Sequence, residues 1–263
     1  MSVIDFAPSG LKTKLAHYDK KMLTATMASR IRRRLLRWGK EHERRTPWRA
    51  RRRAYPIALA EILLQKTKSA DAEVVWKQLL AAYPTARSLS RASIRRLLRM
   101  VSPLGLGSQR AGRLRSMASW LAGRGTPEHS PGLGPYGQAI LALSLGRPAE
   151  AAPVDGNVAR VICRLFGLEF DRGEPRKKPQ VADIALTLMG KRRSPRSQLD
   201  VVYALVDLGA KVCTPFNPSC VACPLLNACS FANSGSFAAR TLRTDVANVR
   251  ATGGGTASET RRI

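Results

Sequence analysis

Four cysteines near the carboxyl end of the 263-residue chain have the spacing of a metal site. Cys213, Cys220, Cys223 and Cys229 form a C-x6-C-x2-C-x5-C array. Four thiolates in one short loop favour either a zinc ion or a [4Fe-4S] cluster, and the spacing alone does not separate the two. The one other cysteine, Cys163, lies in an apolar segment and is expected in the core.

A glycine-rich turn, Pro131-Gly132-Leu133-Gly134, precedes the apolar run from Ala139 to Leu145. Glycines at Gly132 and Gly134 let the backbone approach a ligand closely. The helix that follows adds the positive end of its dipole, so the pattern predicts an anion site that fits a phosphate. Ordinary turns share this pattern, so the prediction needs support from other parts of the chain.

Two carboxylates have sequence surroundings that could serve acid–base chemistry. Asp155 stands in V-D-G-N-V, just ahead of an apolar-periodic segment, where an N-cap is expected. Glu61 lies within IALAEILL, and its neighbours at i−4 and i+3 are Ile57 and Leu64. Burial in such a run would raise the pKa of Glu61 and keep a proton available, whereas a polar helix stripe would leave it an ordinary surface residue.

The charge balance restricts the class of partner. The chain has 45 Lys+Arg against 18 Asp+Glu, a formal net charge of +27. Such a surface repels itself unless it meets a polyanion, so nucleic acid is the leading partner and an anionic membrane surface the second. The sequence shows no secretory signal pattern and no apolar run of membrane-spanning length. We therefore expect a cytoplasmic, nucleoid-associated protein with no membrane partner, whose cysteines are not disulfides.

Apolar periodicity predicts an all-α chain, because alternation at period two never persists. A flexible segment is expected at 1–28, a helical core at 29–212, the cysteine loop at 213–229 and a flexible basic tail at 232–263. Besides the helix that follows the glycine turn, eight helices are predicted, at about 29–43, 55–67, 69–82, 91–100, 109–123, 155–166, 178–190 and 197–211.

Together these motifs resemble the helix-hairpin-helix DNA glycosylases that carry an iron–sulfur loop. This superfamily includes endonuclease III, the adenine glycosylases and the thymine-mismatch glycosylases. The matching motifs, in chain order, are AEILLQKTKS, LGLGSQRAGRL, PGLG with the downstream VDGNVARV, and DLGAKVC followed by the cysteine array. The resemblance covers about residues 29–231 and implies two helical lobes around double-stranded DNA, with a [4Fe-4S] cluster on the four cysteines. We further expect a monomer.

Three departures from the family pattern bear on function. The short helix that usually precedes the hairpin is missing, since only Glu128, His129 and Ser130 separate Pro127 from Pro131. The lysine of the bifunctional lyases is absent; counting forward places Tyr136 there, and counting back from Gly146 places Pro135 there. We favour Tyr136. The first cysteine loop, TPFNPS, lacks the usual basic residue, so arginines elsewhere must contact DNA.

The resemblance implies a catalytic acid at Glu61 and a catalytic aspartate at Asp155, with Tyr136 against the extruded base. Cleaving an N-glycosidic bond needs a proton for the leaving base and a carboxylate for the oxocarbenium-like state, and these residues supply both. Without a lysine nucleophile the enzyme is expected to be monofunctional. The base must leave the stack to be reached. The residues expected to contact DNA are Gln65, Gly132, Gly134, Arg110 and Arg113.

The substrate expected from the sequence is thymine or uracil opposite guanine. Adenine glycosylases usually carry a further C-terminal recognition domain, and only 34 residues follow Cys229 here. Adenine opposite guanine or 8-oxoguanine is the first alternative. The second is a catalytically degenerate DNA-binding protein on the same scaffold, which the shortened hairpin motivates, and a zinc-dependent regulator is more remote.

Overall fold

The computed structural model describes residues 23–50, 53–123, 129–149, 151–170 and 173–234, which fold into helices without strands. The all-α prediction is therefore confirmed for these residues. The helices are α1 Ala25–His42, α2 Ala54–Leu63, α3 Ser69–Ala82, α4 Ala86–Ser90, α5 Ile94–Val101, α6 Gly107–Ala122, α7 Pro135–Ser144, α8 Gly156–Phe166, α9 Pro179–Met189, α10 Pro195–Lys211 and α11 Ser230–Asn233. Four 3-10 turns lie at Ser102–Leu104, Pro175–Lys177, Cys220–Ala222 and Leu226–Ala228.

Helix α1 begins earlier than its apolar pattern indicates. The buried residues Ile31, Leu35 and Trp38 follow the predicted face, but the helix starts at Ala25, and Ala28 is also buried. The Thr24 side chain accepts a hydrogen bond from the Met27 N–H at 3.2 Å and so caps the first turn. The expected boundary at residue 28 is therefore too late, and residues 1–22 of the expected flexible segment lie outside the described residues.

Helix α2 is buried on nearly every side, as expected for an apolar helix without a polar face. It ends at Leu63, earlier than the predicted 67, because the chain turns sharply at Lys66, whose φ is +55°. This short end leaves Gln65 to Lys68 in a loop at the surface of the molecule.

The helices pack as two groups that share one core. The first group comprises α2 to α6, and the second comprises α1, α8, α9, α10 and α11. Helix α7 contacts both α2 and α10 and so joins them. The site residues lie along this junction.

The remaining boundaries differ little from the predictions. The segment predicted as 91–100 is α5, and the structure adds α4, a single turn with a capping box between Thr85 and Ser88. Asp155 is the N-cap of α8, as predicted. Of the expected basic tail, residues 232 and 233 belong to α11, Ser234 follows it, and residues 235–263 lie outside the described residues. Every described helix is too short or too polar to span a lipid bilayer.

Candidate active site

A cavity of about 910 Å³ opens where α2, α7, α10 and the start of α8 meet. This volume is in the range of ligand-binding clefts. Its lining includes three of the residues expected to be catalytic, Glu61, Tyr136 and Asp155, although they are up to 94 residues apart in the chain. The cavity is basic at its edges. Its cationic lining residues are Arg44, Arg49, Lys66, Lys68, Arg176 and Lys177, and Glu61 and Asp155 are its carboxylates.

Glu61 lies on α2 where Gly137 of α7 packs against it. A Cβ atom placed on Gly137 would lie 3.5 Å from the Cβ of Glu61, so the two helices approach closely at this point. Burial, together with the charge on Asp155, raises the pKa of Glu61 to about 8, although Arg49 opposes the shift. At neutral pH the carboxyl group therefore carries a proton, which it can donate into the cavity.

Asp155 is fixed in orientation by hydrogen bonds to both of its carboxylate oxygens. Oδ1 accepts from the backbone N–H of Val158 at 2.8 Å, as an N-cap does. Oδ2 accepts from Nδ2 of Asn157 at 3.0 Å. The carboxylate is thereby held at the positive end of α8 while it faces the cavity, an arrangement suited to stabilising a cation.

Tyr136 is in the first turn of α7 and lines the same cavity as both carboxylates. Burial raises its pKa well above the usual value for tyrosine, and the charges on Glu61 and Asp155 add to this. The neighbouring Tyr203 on α10 behaves alike, with a pKa raised to about 12 by burial and by Glu61. Both phenols therefore stay protonated at neutral pH and can serve as hydrogen-bond donors.

Sequence reasoning missed a buried ion pair beneath the cavity. Asp207 of α10 is fully buried and accepts from both guanidinium nitrogens of Arg49, at 2.7 and 2.9 Å. It also accepts from Nε of Arg44 at 2.6 Å. The Arg49 guanidinium lies 4.1 Å above the ring of Tyr203 and so joins this pair to the cavity. The position of Asp207 inside an apolar helix could have indicated this ion pair, because a buried carboxylate needs a buried partner.

A chain of hydrogen bonds connects Asp155 to the first cysteine. Asn157, which donates to Asp155, accepts from Nη2 of Arg160 at 2.8 Å. Arg160 also donates from Nε to the carbonyl of Cys213 at 2.8 Å. Gly209 allows this approach, because a Cβ there would lie 2.6 Å from the Cβ of Asn157. The orientation of Asp155 thus depends on how the cysteine loop is anchored.

The glycine turn packs directly on α6. Gly132 has φ +84°, and a Cβ there would lie 2.9 Å from the Cβ of Arg113. Gly134 precedes α7 and has no neighbour within 4 Å of such a Cβ, so its backbone is open to a ligand. Between α6 and this turn, the described residues His129 and Ser130 belong to no α-helix. The turn therefore packs on α6, and the described residues directly before it form no α-helix.

Gln65 braces this turn. Its Nε2 donates to the carbonyl of Gly132 at 3.0 Å, and its Oε1 accepts from Nη1 of Arg113 at 2.5 Å. The side chain also lines the cavity. Gln65 and Arg113 are therefore at the surface where DNA contact is expected, but both are engaged within the protein.

Arg110 does not suit the expected DNA contact. The residue is 3% exposed, and its guanidinium donates to the carbonyls of Leu104, Gly105 and Gln65 and to the hydroxyl of Thr67. These bonds satisfy the group inside the protein, so a phosphate cannot reach it. The prediction for Arg110 is corrected: this arginine ties the loop before α6 to the loop after α2.

The loop before α6, which Arg110 holds, carries an exposed apolar side chain that the sequence analysis did not single out. Leu106 is 45% exposed and has φ +53°, a backbone conformation that non-glycine residues rarely adopt. It stands between Gly105 and Gly107, one residue after a carbonyl that Arg110 holds. The contact between Arg110 and the Gly105 carbonyl therefore fixes the backbone on which Leu106 is exposed.

The four cysteines of the array line one small apolar pocket with Arg164 and Phe231. Arg164 donates to Sγ of Cys213 at 3.4 Å and to the carbonyls of Thr214 and Pro215. In the part of the chain that is described, no group of three or more potential ligands converges closely enough for a single metal ion.

Known proteins resemble this chain in sequence and fold. Residues 59–181 match the family described as HhH-GPD superfamily base excision DNA repair protein. A thymine-DNA glycosylase of Aeropyrum pernix is 27% identical over 78% of this chain and 95% of its own length. A thymine/uracil-DNA glycosylase of Pyrobaculum aerophilum is 28% identical over 73% of this chain and 87% of its own. The human adenine DNA glycosylase is 32% identical, but the match spans 38% of its length.

The solved structures agree with these matches. The structure of a thermostable thymine-DNA glycosylase superimposes with a TM-score of 0.67 at 26% identity, over 80% of this chain and 99% of that one. A non-covalent endonuclease III–DNA complex gives a TM-score of 0.64 over 84% of this chain and all of that one. At 18% identity this second likeness concerns the fold alone. The resemblance expected from the sequence motifs is confirmed.

Proposed function

We propose that this chain is a monofunctional DNA glycosylase, and the match of residues 59–181 to the HhH-GPD superfamily of base excision DNA repair proteins supports this proposal. Its proposed substrate is double-stranded DNA that contains thymine or uracil opposite guanine. The base leaves the duplex, enters the cavity and is released by hydrolysis of its N-glycosidic bond.

The observation that carries this proposal is the pairing of Glu61 and Asp155 in one cavity. With a pKa of about 8, Glu61 is protonated at neutral pH and can donate to the departing base. Asp155, fixed by the Val158 N–H and by Asn157, faces the sugar carbon on which positive charge develops. This division of roles between two carboxyl groups is the one that glycosidic bond cleavage requires.

Thymine or uracil is favoured by the relatives that match along nearly their whole length. The thymine and thymine/uracil glycosylases of two archaea are matched over 95% and 87% of their chains. Adenine is kept as the alternative, because the mammalian adenine glycosylases are matched at up to 32% identity, although over less than half their length. The protonated phenol of Tyr136 suits either base as a hydrogen-bond donor.

Absence of lyase activity is proposed from the position of the lysines. Lys66, Lys68 and Lys177 line the cavity, and all three are exposed residues at its edge. Tyr136 lines the cavity together with both carboxyl groups, and its high pKa keeps it from acting as a nucleophile. Borohydride trapping tests this part directly: no covalent protein–DNA adduct is expected, and an adduct would show a lyase.

Leu106 is proposed to fill the gap that the extruded base leaves. An apolar side chain on a loop that is already ordered can enter the base stack at a lower cost in conformational entropy. Its backbone is already held by Arg110 through the Gly105 carbonyl. Gln65 and Arg113 would contact DNA from the same side, and the turn at Gly132 and Gly134 would bind a backbone phosphate.

We propose that Cys213, Cys220, Cys223 and Cys229 hold a [4Fe-4S] cluster. The four sulfurs share one pocket lined by apolar groups and Arg164, whose positive charge suits thiolate ligands. When bound, the cluster would supply structural cross-linking of the chain from the end of α10 to the start of α11. Through Arg160 and Asn157 it would also steady Asp155. Iron content and visible absorbance of the purified protein test this assignment, and zinc in place of iron would contradict it.

The proposed activity is tested by a single-turnover assay on four labelled duplexes. These contain T opposite G, U opposite G, A opposite G and A opposite 8-oxoguanine, each treated with alkali to reveal abasic sites. Cleavage of the first two identifies the proposed enzyme, and cleavage of the last two alone identifies the adenine alternative. No cleavage with DNA binding intact would favour a degenerate scaffold. Size-exclusion chromatography with light scattering tests the expected monomer.

A further inference from the structure

The mouth of the cavity carries cations from two separate parts of the fold. Lys66 and Lys68 follow α2, in the first helix group. Arg176 and Lys177 lie in the 3-10 turn Pro175–Lys177, which packs on α8 and α9 of the second group. We call Arg176 and Lys177 the basic lip. A DNA backbone laid over the mouth would meet positive charge from both groups.

The basic lip lies beside the catalytic carboxylate. Both of its residues line the same cavity as Asp155. The electrostatic influence of Asp155 reaches Arg176, where it adds to that of Glu174. A phosphate held by this lip would therefore belong to the nucleotide whose sugar faces Asp155, or to its immediate neighbour.

In the free protein one carboxylate occupies the cations of the basic lip. Oε2 of Glu174 accepts from Nε of Arg176 at 2.5 Å and lies 3.7 Å from Nζ of Lys177. The three side chains are each at least half exposed, so the ion pairs are screened and easily exchanged. An oxygen that bridges two exposed cations at the mouth of a DNA cleft stands where a phosphate oxygen would stand.

We infer that the basic lip binds the phosphates flanking the extruded nucleotide, and that Glu174 is an internal competitor which those phosphates displace. This inference rests on the proposed function for the identity of the nucleotide. It adds to that function a phosphate-binding element which the sequence motifs did not indicate. Because Glu174 partly neutralises the basic lip when DNA is absent, a single weakly bound anion competes poorly for it. A polyanion such as DNA is needed to displace the carboxylate.

The test measures binding of the full-length protein to a duplex with a tetrahydrofuran abasic analogue, by fluorescence anisotropy over a range of KCl concentrations. The slope of log K against log salt is negative, and each lost phosphate contact makes it less steep by roughly 0.9. The double variant Arg176→Gln/Lys177→Gln loses two contacts, so its slope is expected to be less steep by nearly twice that amount. Lys191→Gln/Arg192→Gln removes the same charge from exposed residues outside the cavity and is expected to leave the slope unchanged. Equal slopes for both double variants would overturn the inference.

The variant Glu174→Gln distinguishes two effects of Glu174 on DNA binding: competition for the basic lip, and a general change in the net charge of the protein. Removing the competitor is expected to tighten binding roughly threefold in the wild-type background, within the range of an exposed ion pair. In the Arg176→Gln/Lys177→Gln background it is expected to have no effect. An equal gain in both backgrounds would mean that Glu174 acts only through net charge, and would overturn the competitor role. The assay needs no base removal, so a protein inactive on every duplex could still show the lip and would then lose only the glycosylase assignment.

Discussion

Nδ2 of Asn157 lies 3.0 Å from Oδ2 of Asp155, and Oδ1 of the same asparagine accepts from Arg160 at 2.8 Å. The asparagine thus holds the carboxylate of Asp155 with one end of its amide and is itself held by Arg160 at the other end. Its Cβ is also the atom against which Gly209 of α10 packs. One side chain therefore combines a packing role with a positioning role, and the two can be separated by substitution.

Asn157→Ala should slow base excision while leaving the fold intact. The substitution keeps the Cβ that contacts Gly209 and removes both amide hydrogen bonds. A hydrogen bond to a charged group contributes about 1.5–3 kcal/mol, so the single-turnover rate should fall roughly 10- to 100-fold. Gln78→Ala on the exposed face of α3 is the matched control and should keep the wild-type rate. An unchanged rate for Asn157→Ala would show that Val158 alone orients Asp155.

The rate should depend on pH through Glu61. Because the pKa of Glu61 is raised to about 8, the carboxyl group is protonated and active below that value and loses its proton above it. The single-turnover rate should therefore fall about tenfold per pH unit well above pH 8. Glu61→Gln should lower the rate and flatten the profile. A wild-type rate that rises from pH 7 to pH 9 would exclude Glu61 as the proton donor.

Asp207→Asn should destabilise the protein strongly. The change leaves Arg49 and Arg44 facing a neutral partner in a buried site, and breaking a buried pair in this way costs about 3–5 kcal/mol. The midpoint of thermal unfolding should fall by roughly 10 °C. Asp183→Asn, on the exposed side of α9, should change it little.

The dependence of stability on acidic pH gives a second test of the role of Asp207. Burial raises the pKa of Asp207, but Arg49 and Arg44 outweigh burial and hold it below the usual value. Its contribution to stability is therefore present above the pKa of the unfolded chain and is lost as pH falls through the lower folded pKa. The acid sensitivity of unfolding should be weaker in Asp207→Asn than in Asp183→Asn.

The two glycines of the hairpin turn should respond differently to alanine. Gly132 has φ +84°, and a new Cβ would lie 2.9 Å from the Cβ of Arg113, so Gly132→Ala should cost at least about 1 kcal/mol in stability. Gly134 has φ −79° and open space around it, so Gly134→Ala should leave unfolding unchanged. If Gly134 lies against a phosphate, its alanine variant should weaken DNA binding without loss of stability. Equal unfolding midpoints for the two variants would contradict the packing of the turn on α6.

Local patterns predicted the parts of the site that depend on nearby residues. Asp155 was readable as an N-cap and Glu61 as a carboxyl group in an apolar helix, because both signals lie within one or two helical turns. Arg49 and Asp207 escaped prediction because they are 158 residues apart, and only the packed fold brings them together. The helix order followed from apolar periodicity, whereas α4 was missed because its five residues are too short for a periodic signal.

Charged residues were the hardest to assign from sequence. Arg110 and Arg113 share a basic run, yet the first is buried against backbone carbonyls and the second is exposed beside the glycine turn. Arg176 and Lys177 gave no signal, since a basic stretch is most often a solvated surface. Their position beside Asp155 is a property of how the turn packs on α8 and α9.

The central claim is that Asp155 takes part in cleaving the N-glycosidic bond. The most direct measurement compares wild type and Asp155→Asn on a duplex with T or U opposite G, under single turnover, with binding to the same duplex measured in parallel. Asparagine can still cap α8 and lacks the negative charge that stabilises the sugar cation. Asp155→Asn should reduce excision at least about 100-fold, with binding within a few-fold of wild type. Equal excision by the two proteins would contradict it.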